Sequence, residues 1–332
     1  MGEFLLEVKN LHTEFRLFRG TVKAVDGVDF TLREGEILGI VGESGGGKSV
    51  TGFSLLGLID PPGRVSAGEV IFRGENLLEK SEEEMRAIRG REISMIFQDP
   101  MTSLNPLHTV GRQIDEMLAL HTDLKPGERR LRAVELLGEV GIPSPEERLE
   151  SYPHQFSGGM RQRVVIAIAL AAKPKLIIAD EPTTALDVTV QAQILALMEG
   201  LVKKSGSALI LITHDLAVVS EITHRVAVMY CGRIVEEGPT EALVKTPLHH
   251  YTKGLLESIP RMAGSRTARL PQIPGMAPSL FDLPPGCAFA PRCPAAGELC
   301  LAGPPPMVEA GGGRRVRCFR PVLYGEGGGS DG

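Results

Sequence analysis

Eight residues, Gly42-Glu43-Ser44-Gly45-Gly46-Gly47-Lys48-Ser49, constrain this chain more than any others. They fit the phosphate-loop pattern, follow the apolar run EILGIV at 36–41 and open a helical pattern beginning at Lys48, the context the motif requires. Glycines 45, 46 and 47 let backbone N–H groups converge on phosphate oxygens with no side chain in the way, and the helix start adds a favourable dipole. Lys48 supplies a point charge for the β- and γ-phosphates, and the Ser49 hydroxyl is suited to ligate Mg²⁺.

The runs at 69–72, 93–97, 176–179, 208–213 and 225–229 read as further strands, bounded by turn residues. Helical patterns lie between them at 110–120, 128–139, 158–171 and 188–203. Strands alternating with helices predict an α/β fold, a mainly parallel sheet with helices on both faces. Residues 101–172 read as almost entirely helical, a subdomain inserted between two strands of the core. From about residue 246 Pro and Gly multiply and periodicity fades, so a module of different construction is expected over 246–324, with a disordered tail at 325–332.

Composition narrows the partners. A net charge of −5 gives no basic field for nucleic acid or anionic lipid, so attachment to a membrane is expected to run through a protein partner. The first ten residues carry acids where a secretory signal carries bases, so the chain is not expected to be secreted. Its longest apolar run, 164–172, falls far short of the ~20 residues a membrane-crossing helix needs.

A second piece of the phosphate chemistry lies at LIIADE, residues 176–181, a buried-strand pattern ending in two carboxylates. Parallel sheets place their ligands at strand C-termini. Asp180 is suited to the Mg²⁺ shell and Glu181 to polarising an attacking water as general base.

The octet Phe156-Ser157-Gly158-Gly159-Met160-Arg161-Gln162-Arg163, just ahead of these acids, resembles the signature of the ATP-binding cassette family. The surrounding pieces match in order. Gln98 in IFQDP resembles the family's glutamine loop, Ala185-Leu186-Asp187 its D-loop, and His214 in LITHD its switch histidine. The resemblance spans roughly residues 5–240 of the chain. It implies a phosphate-loop ATPase fold with a RecA-like core, an antiparallel β subdomain and an inserted helical subdomain, together forming a nucleotide-binding domain over 1–245. ATP and Mg²⁺ are the implied ligands, held by the loop from Ser44 through Val50, by Asp187 and, for the metal, by Ser49, Gln98 and Asp180. Glu181, His214 and Gln98 are the implied catalytic set. Ser157 and Gly159 are implied to bind the γ-phosphate of a nucleotide held by a second cassette, so that two cassettes close face to face around two ATP molecules. Phe15 is the candidate for stacking on adenine, with Phe18 as its alternative.

A closer resemblance joins the chain to the ATPase subunits of dipeptide and oligopeptide importers. It rests on QDPMTSLNPLHTVGRQI at 98–114, YPHQFSGGMRQRVVIAIAL at 152–170, DEPTTALDVTVQAQIL at 180–195 and the Pro- and Cys-bearing tail. The implied partners are a second ATPase subunit, in such importers usually a different chain, two transmembrane permease subunits and an extracytoplasmic solute-binding protein. The chain would then be peripheral, on the cytoplasmic face of the inner membrane. Nickel, glutathione or another small solute stays open as cargo, as does a non-transport cassette. Against the latter, Lys48 and Ser157 are only about a hundred residues apart with no heptad run between them, unlike chromosome-type cassettes. Met101 and Leu104 are the expected apolar anchors for a membrane partner, with packing inside the helical subdomain as the alternative.

Cys287, Cys293, Cys300 and Cys318 crowd into a segment too poor in apolar residues to order itself. Zinc usually takes Cys-x₂₋₄-Cys knuckles, a spacing absent here. Iron–sulphur clusters also take four cysteines, and the importer resemblance implies a [4Fe–4S] cluster at this place. Zinc or no metal remain alternatives. Cys231, in VAVMYCG, reads as a small buried hydrophobe.

Overall fold

The computed structural model describes residues 4–184, 186–259 and 272–324. Among them the strands run in chain order as β1 (Leu6–Leu17), β2 (Gly20–Leu32), β3 (Ile37–Val41), β4 (Gly63–Phe72), β5 (Glu75–Asn76), β6 (Ile93–Ile96), β7 (Leu176–Asp180), β8 (Ala208–Thr213), β9 (Arg225–Tyr230), β10 (Arg233–Pro239), β11 (Val308–Glu309) and β12 (Arg315–Val316). The eight-stranded sheet has the order β11-β12-β10-β9-β3-β8-β7-β6. Its stretch from β9 to β6 is parallel throughout. Every residue of β3, β7 and β8 is buried, which is why these strands read as unbroken apolar runs: helices cover both faces.

A four-stranded antiparallel sheet, β2-β1-β4-β5, packs alongside. The sequence runs mark only residues 69–72 of it, whereas β4 begins at Gly63 and both β1 and β2 are long. Register shifts after Val8, Leu11 and Thr13 break the period of two along β1, and a broken alternation hides a strand from pattern reading.

Between the neighbouring strands β6 and β7 the described elements are all helical, including Val110–His121, Pro126–Glu139 and Gly158–Leu170. Thr109 caps the first of these by accepting from the Arg112 N–H. Here Leu104 is 3% exposed and packs in the core, so it is not the surface anchor expected of it; Met101 is 60% exposed beside Arg161. The difference follows from the one-turn helix Pro100–Ser103, which ends before Leu104 and lets the chain turn inward.

The chain beyond β10 is attached by apolar packing, with Leu243, Tyr251 and Phe289 in the main core, and by ions. Glu236 and Glu237 are buried on β10. Glu236 accepts from the Leu248 and His249 N–H groups, both at 2.8 Å, and from Arg314 at 3.2 Å. Glu237 pairs with Arg225 and Arg315. Through these contacts β12 extends the main sheet at β10. Glu236 finds all of its partners in the extension, so docking satisfies an acid that would otherwise be buried unpaired.

Candidate functional site

The phosphate loop turns between β3 and the helix Lys48–Leu55. Two of its glycines are required by space. A Cβ on Gly42 would lie 2.0 Å from the Met229 carbonyl oxygen, and one on Gly47, whose φ is +96°, would lie 2.1 Å from that of Ala24. Lys48 is 4% exposed, and its ammonium donates to the carbonyls of Gly42 at 2.8 Å and Glu43 at 3.0 Å. Burial pushes its pKa down, against the charges of Glu181, Asp180 and Glu43.

β7 delivers the two carboxylates to the loop. The Ser49 hydroxyl donates to Asp180 Oδ1 at 2.9 Å, pairing the two oxygens expected beside Mg²⁺. Burial and the neighbouring Glu181 raise the Asp180 pKa, so this carboxylate gains from a nearby cation. Mg²⁺ needs only one or two protein oxygens and keeps the rest of its shell as water, which these residues fit. Glu181 has φ +45°, a left-handed conformation rare for a residue with a side chain and a common mark of a functional position. Its carboxylate accepts from Gln98 Nε2 at 3.0 Å and from the Thr184 hydroxyl at 2.8 Å, and lies 3.2 Å from His214 Nδ1. Burial works to raise its pKa, but the hydrogen bonds of Thr184 and His214 and the nearby charges outweigh it, and the net shift is downward. An ionised carboxylate held by a glutamine and a histidine at a strand end can accept a proton from water.

Ser157 and Asp187 each cap a helix. The Ser157 hydroxyl oxygen accepts from the Met160 N–H at 3.3 Å, which leaves its proton free to donate to an anion. Asp187 accepts from the Val190 N–H at 2.9 Å at the start of Val188–Ser205. A Cβ on Gly159 would lie 2.8 Å from Val190, so the glycine lets the signature helix approach the helix after the D-loop. Ala185 lies outside the described residues.

Phe15 lines a cavity of about 420 Å³ whose floor is Ser44, Gly45 and Gly46. Phe18 is fully exposed and does not line it. The sequence reading missed two residues that hold the loop. Tyr251, fully buried, accepts from the Glu43 N–H at 2.7 Å. Arg292, 7% exposed, grips the Glu43 carboxylate in a two-pronged pair at 2.6 and 2.9 Å and donates to the Tyr230 hydroxyl at 3.2 Å.

Cys287, Cys293, Cys300 and Cys318 line one small pocket together with His249 and Phe289. The Cys287 N–H donates to the Cys300 carbonyl at 2.8 Å, which joins two of the cysteine segments. Burial pushes the Cys287 and Cys293 thiols up, and that of Cys318 to about 11. Among the described residues, however, no group of three or more His, Cys, Asp or Glu side chains is placed to hold a metal ion. Cys231 is buried, as its sequence setting suggests.

Residues 25–184 match the ABC transporter family, and residues 235–300 match the oligopeptide/dipeptide transporter C-terminal region. The dipeptide transport ATP-binding protein DppD of Escherichia coli (strain K12) is 49% identical over 96% of this chain and 97% of its own length. The oligopeptide transport ATP-binding protein AppD of Bacillus subtilis (strain 168) is 51% identical over 97% of each. Among solved structures, a dimeric ATP-binding cassette in a post-hydrolysis state, bound to ADP and phosphate, superposes with a TM-score of 0.64 at 29% identity, covering 71% of this chain and 98% of that one.

Proposed function

We propose, because this chain belongs to the ATP-binding cassette transporter family and to its oligopeptide and dipeptide importer branch, that it binds and hydrolyses ATP to drive peptide uptake. The observation that carries the reading is the convergence of Gln98, Thr184 and His214 on the Glu181 carboxylate, beside Asp180 and the phosphate loop. The phosphates of ATP occupy the loop, Glu181 takes a proton from the attacking water, and His214 and Gln98 orient the water and the γ-phosphate. Ser49, Asp180 and Gln98 would hold Mg²⁺, which when bound neutralises charge on the β- and γ-phosphates.

The composite site needs a second cassette, and the dimeric state of the solved relative supports this. Ser157 and Gly159 would present their helix N-terminus to the nucleotide held by that partner. Permease docking fits the apolar groove of about 250 Å³ lined by Leu58, Phe97 and Met117, with exposed Met101 two residues from Ser103 at its edge. No helix among the described residues is long and apolar enough to cross a membrane, so the permease subunits would carry the translocation path, with this chain on the cytoplasmic face and a solute-binding protein outside. The test uses the assembled transporter. Ser157→Arg is expected to leave ATP binding at the Lys48 loop in place and to weaken ATP-dependent pairing at least about tenfold, with loss of peptide-stimulated hydrolysis. Normal pairing in the variant would overturn the face-to-face arrangement.

We read the tail as the seat of a four-iron cluster held by Cys287, Cys293, Cys300 and Cys318, which line one pocket, with zinc as the alternative. A cluster bound there would cross-link the tail segments and add free energy to their ordering. Protein purified without oxygen is expected to be brown, absorbing near ~400 nm with about four irons per chain, and Cys293→Ser with Cys300→Ser is expected to lose both. One equivalent of zinc in colourless protein would favour the zinc reading, and metal-free protein with an ordered tail would exclude both.

A further inference from the structure

The cavity above the phosphate loop has two sides of different origin. Phe15, Leu17 and Val22 come from β1 and β2, and the opposite lining comes from residues 277–281 of the extension, more than two hundred positions away in sequence. We infer that this segment is the second wall of the chain's own nucleotide pocket, with Phe281 as its contact for the base and ribose of ATP. The inference rests on the proposal that the phosphate loop holds ATP.

The segment is built into the fold. Leu280 and Leu283 pack against the hydrophobic core on either side of Phe281, and Ile273 packs there ahead of the wall. The Phe281 N–H donates to the Ser279 hydroxyl at 3.2 Å and the Asp282 N–H to the Ser279 carbonyl at 2.9 Å, fixing the turn that presents the ring. Arg292 then ties the segment to the phosphate loop: its Nε donates to the Pro274 carbonyl at 2.9 Å while its two terminal nitrogens hold Glu43. One guanidinium therefore sets the wall relative to the loop. Phe281 remains 49% exposed although its neighbours Leu280 and Leu283 are packed, so an aromatic face is left open on a cavity that already holds Phe15. With the loop fixing the phosphates at one end, the base and ribose must lie along the remaining length between these apolar sides.

The wall predicts a base-dependent defect. In the full-length protein Phe281→Ala is expected to weaken ATP binding about tenfold, within the range that stacking of a base on an aromatic ring provides. Inorganic tripolyphosphate, which has no base, is expected to shift less than twofold in the same variant, and Phe281→Tyr to restore ATP affinity. Equal losses for ATP and tripolyphosphate would mean that Phe281 acts through the loop and would overturn the contact, as would unchanged ATP affinity in Phe281→Ala. Lys48→Ala separates this inference from its premise. If Lys48→Ala abolishes binding of both ligands while Phe281→Ala changes neither, the wall is wrong and the phosphate site stands; if Lys48→Ala leaves both intact, the phosphate site itself is wrong.

Discussion

Glu181→Gln is expected to bind ATP and close the cassette pair, yet to hydrolyse on the order of 10²–10⁴-fold more slowly, the range for loss of a general base. The substitution suits the site because glutamine is isosteric. Its carbonyl can still accept from Thr184 and Gln98, and its amide can face His214, so the hydrogen-bonded frame around position 181 survives. What disappears is an acceptor able to take the proton of water. The neighbours hold the Glu181 pKa below its ordinary value, so the wild-type group is ionised at neutral pH and competent as a base without a prior proton loss. Single-turnover hydrolysis by the assembled transporter measures the effect. Turnover within a few-fold of wild type would remove Glu181 from the role, and loss of ATP binding would show that the charge, rather than the proton transfer, is what matters.

The parts of this site that are contiguous in sequence were legible, since residues 42–49 carry their own backbone logic and residues 176–181 announce a buried strand with acids at its end. The meeting of Gln98, Glu181 and His214 was a different kind of inference. Nothing local tells a glutamine after a strand to aim at a carboxylate 83 positions later, and only the order of the cassette motifs supplied it. Thr184 was missed although it lies one turn beyond Glu181, because a threonine in a turn has many ordinary explanations. Met101 and Leu104 show the limit from the other side. Both are apolar and three residues apart, but the helix carrying Met101 is a single turn, too short for periodicity to say which of them faces inward.

The extension was the least legible region, for a physical reason. Much of its docking rests on ion pairs and hydrogen bonds between distant residues, and charges carry no periodic signature; the apolar residues that also pack there, Ile273, Leu280 and Leu283 among them, are too scattered to show a period. Glu236 and Glu237 carry no local sign of burial, yet both are buried because arginines reach them from elsewhere in the chain: Arg314 to Glu236, and Arg225 and Arg315 to Glu237. The Glu43–Arg292 pair spans 249 positions, and the Glu43–Tyr251 bond spans 208. In both cases the sequence showed the phosphate loop and left its support unseen.

That support carries the second large effect. Arg292→Ala is expected to loosen the extension from the phosphate loop by about 3 kcal/mol, the low end for breaking a buried ion pair, because Glu43 keeps 31% of its side chain exposed and can be rehydrated in part. By the same account the open population of the 272–293 region should rise roughly a hundredfold. Four hydrogen bonds to three groups go with the guanidinium: two to Glu43, one to the Tyr230 hydroxyl and one to the Pro274 carbonyl. Lysine at 292 keeps the charge but has no planar fork to span Glu43 while also reaching Pro274, so Arg292→Lys should recover only part of the loss. Hydrogen exchange on the full-length protein reads the effect directly: faster exchange is expected in the extension and at the amides around Glu43, while β7 and β8, buried in the sheet, hold their protection. Unchanged exchange around Glu43 in Arg292→Ala would show that the loop stands without the extension, and that Tyr251 alone is enough to fix it.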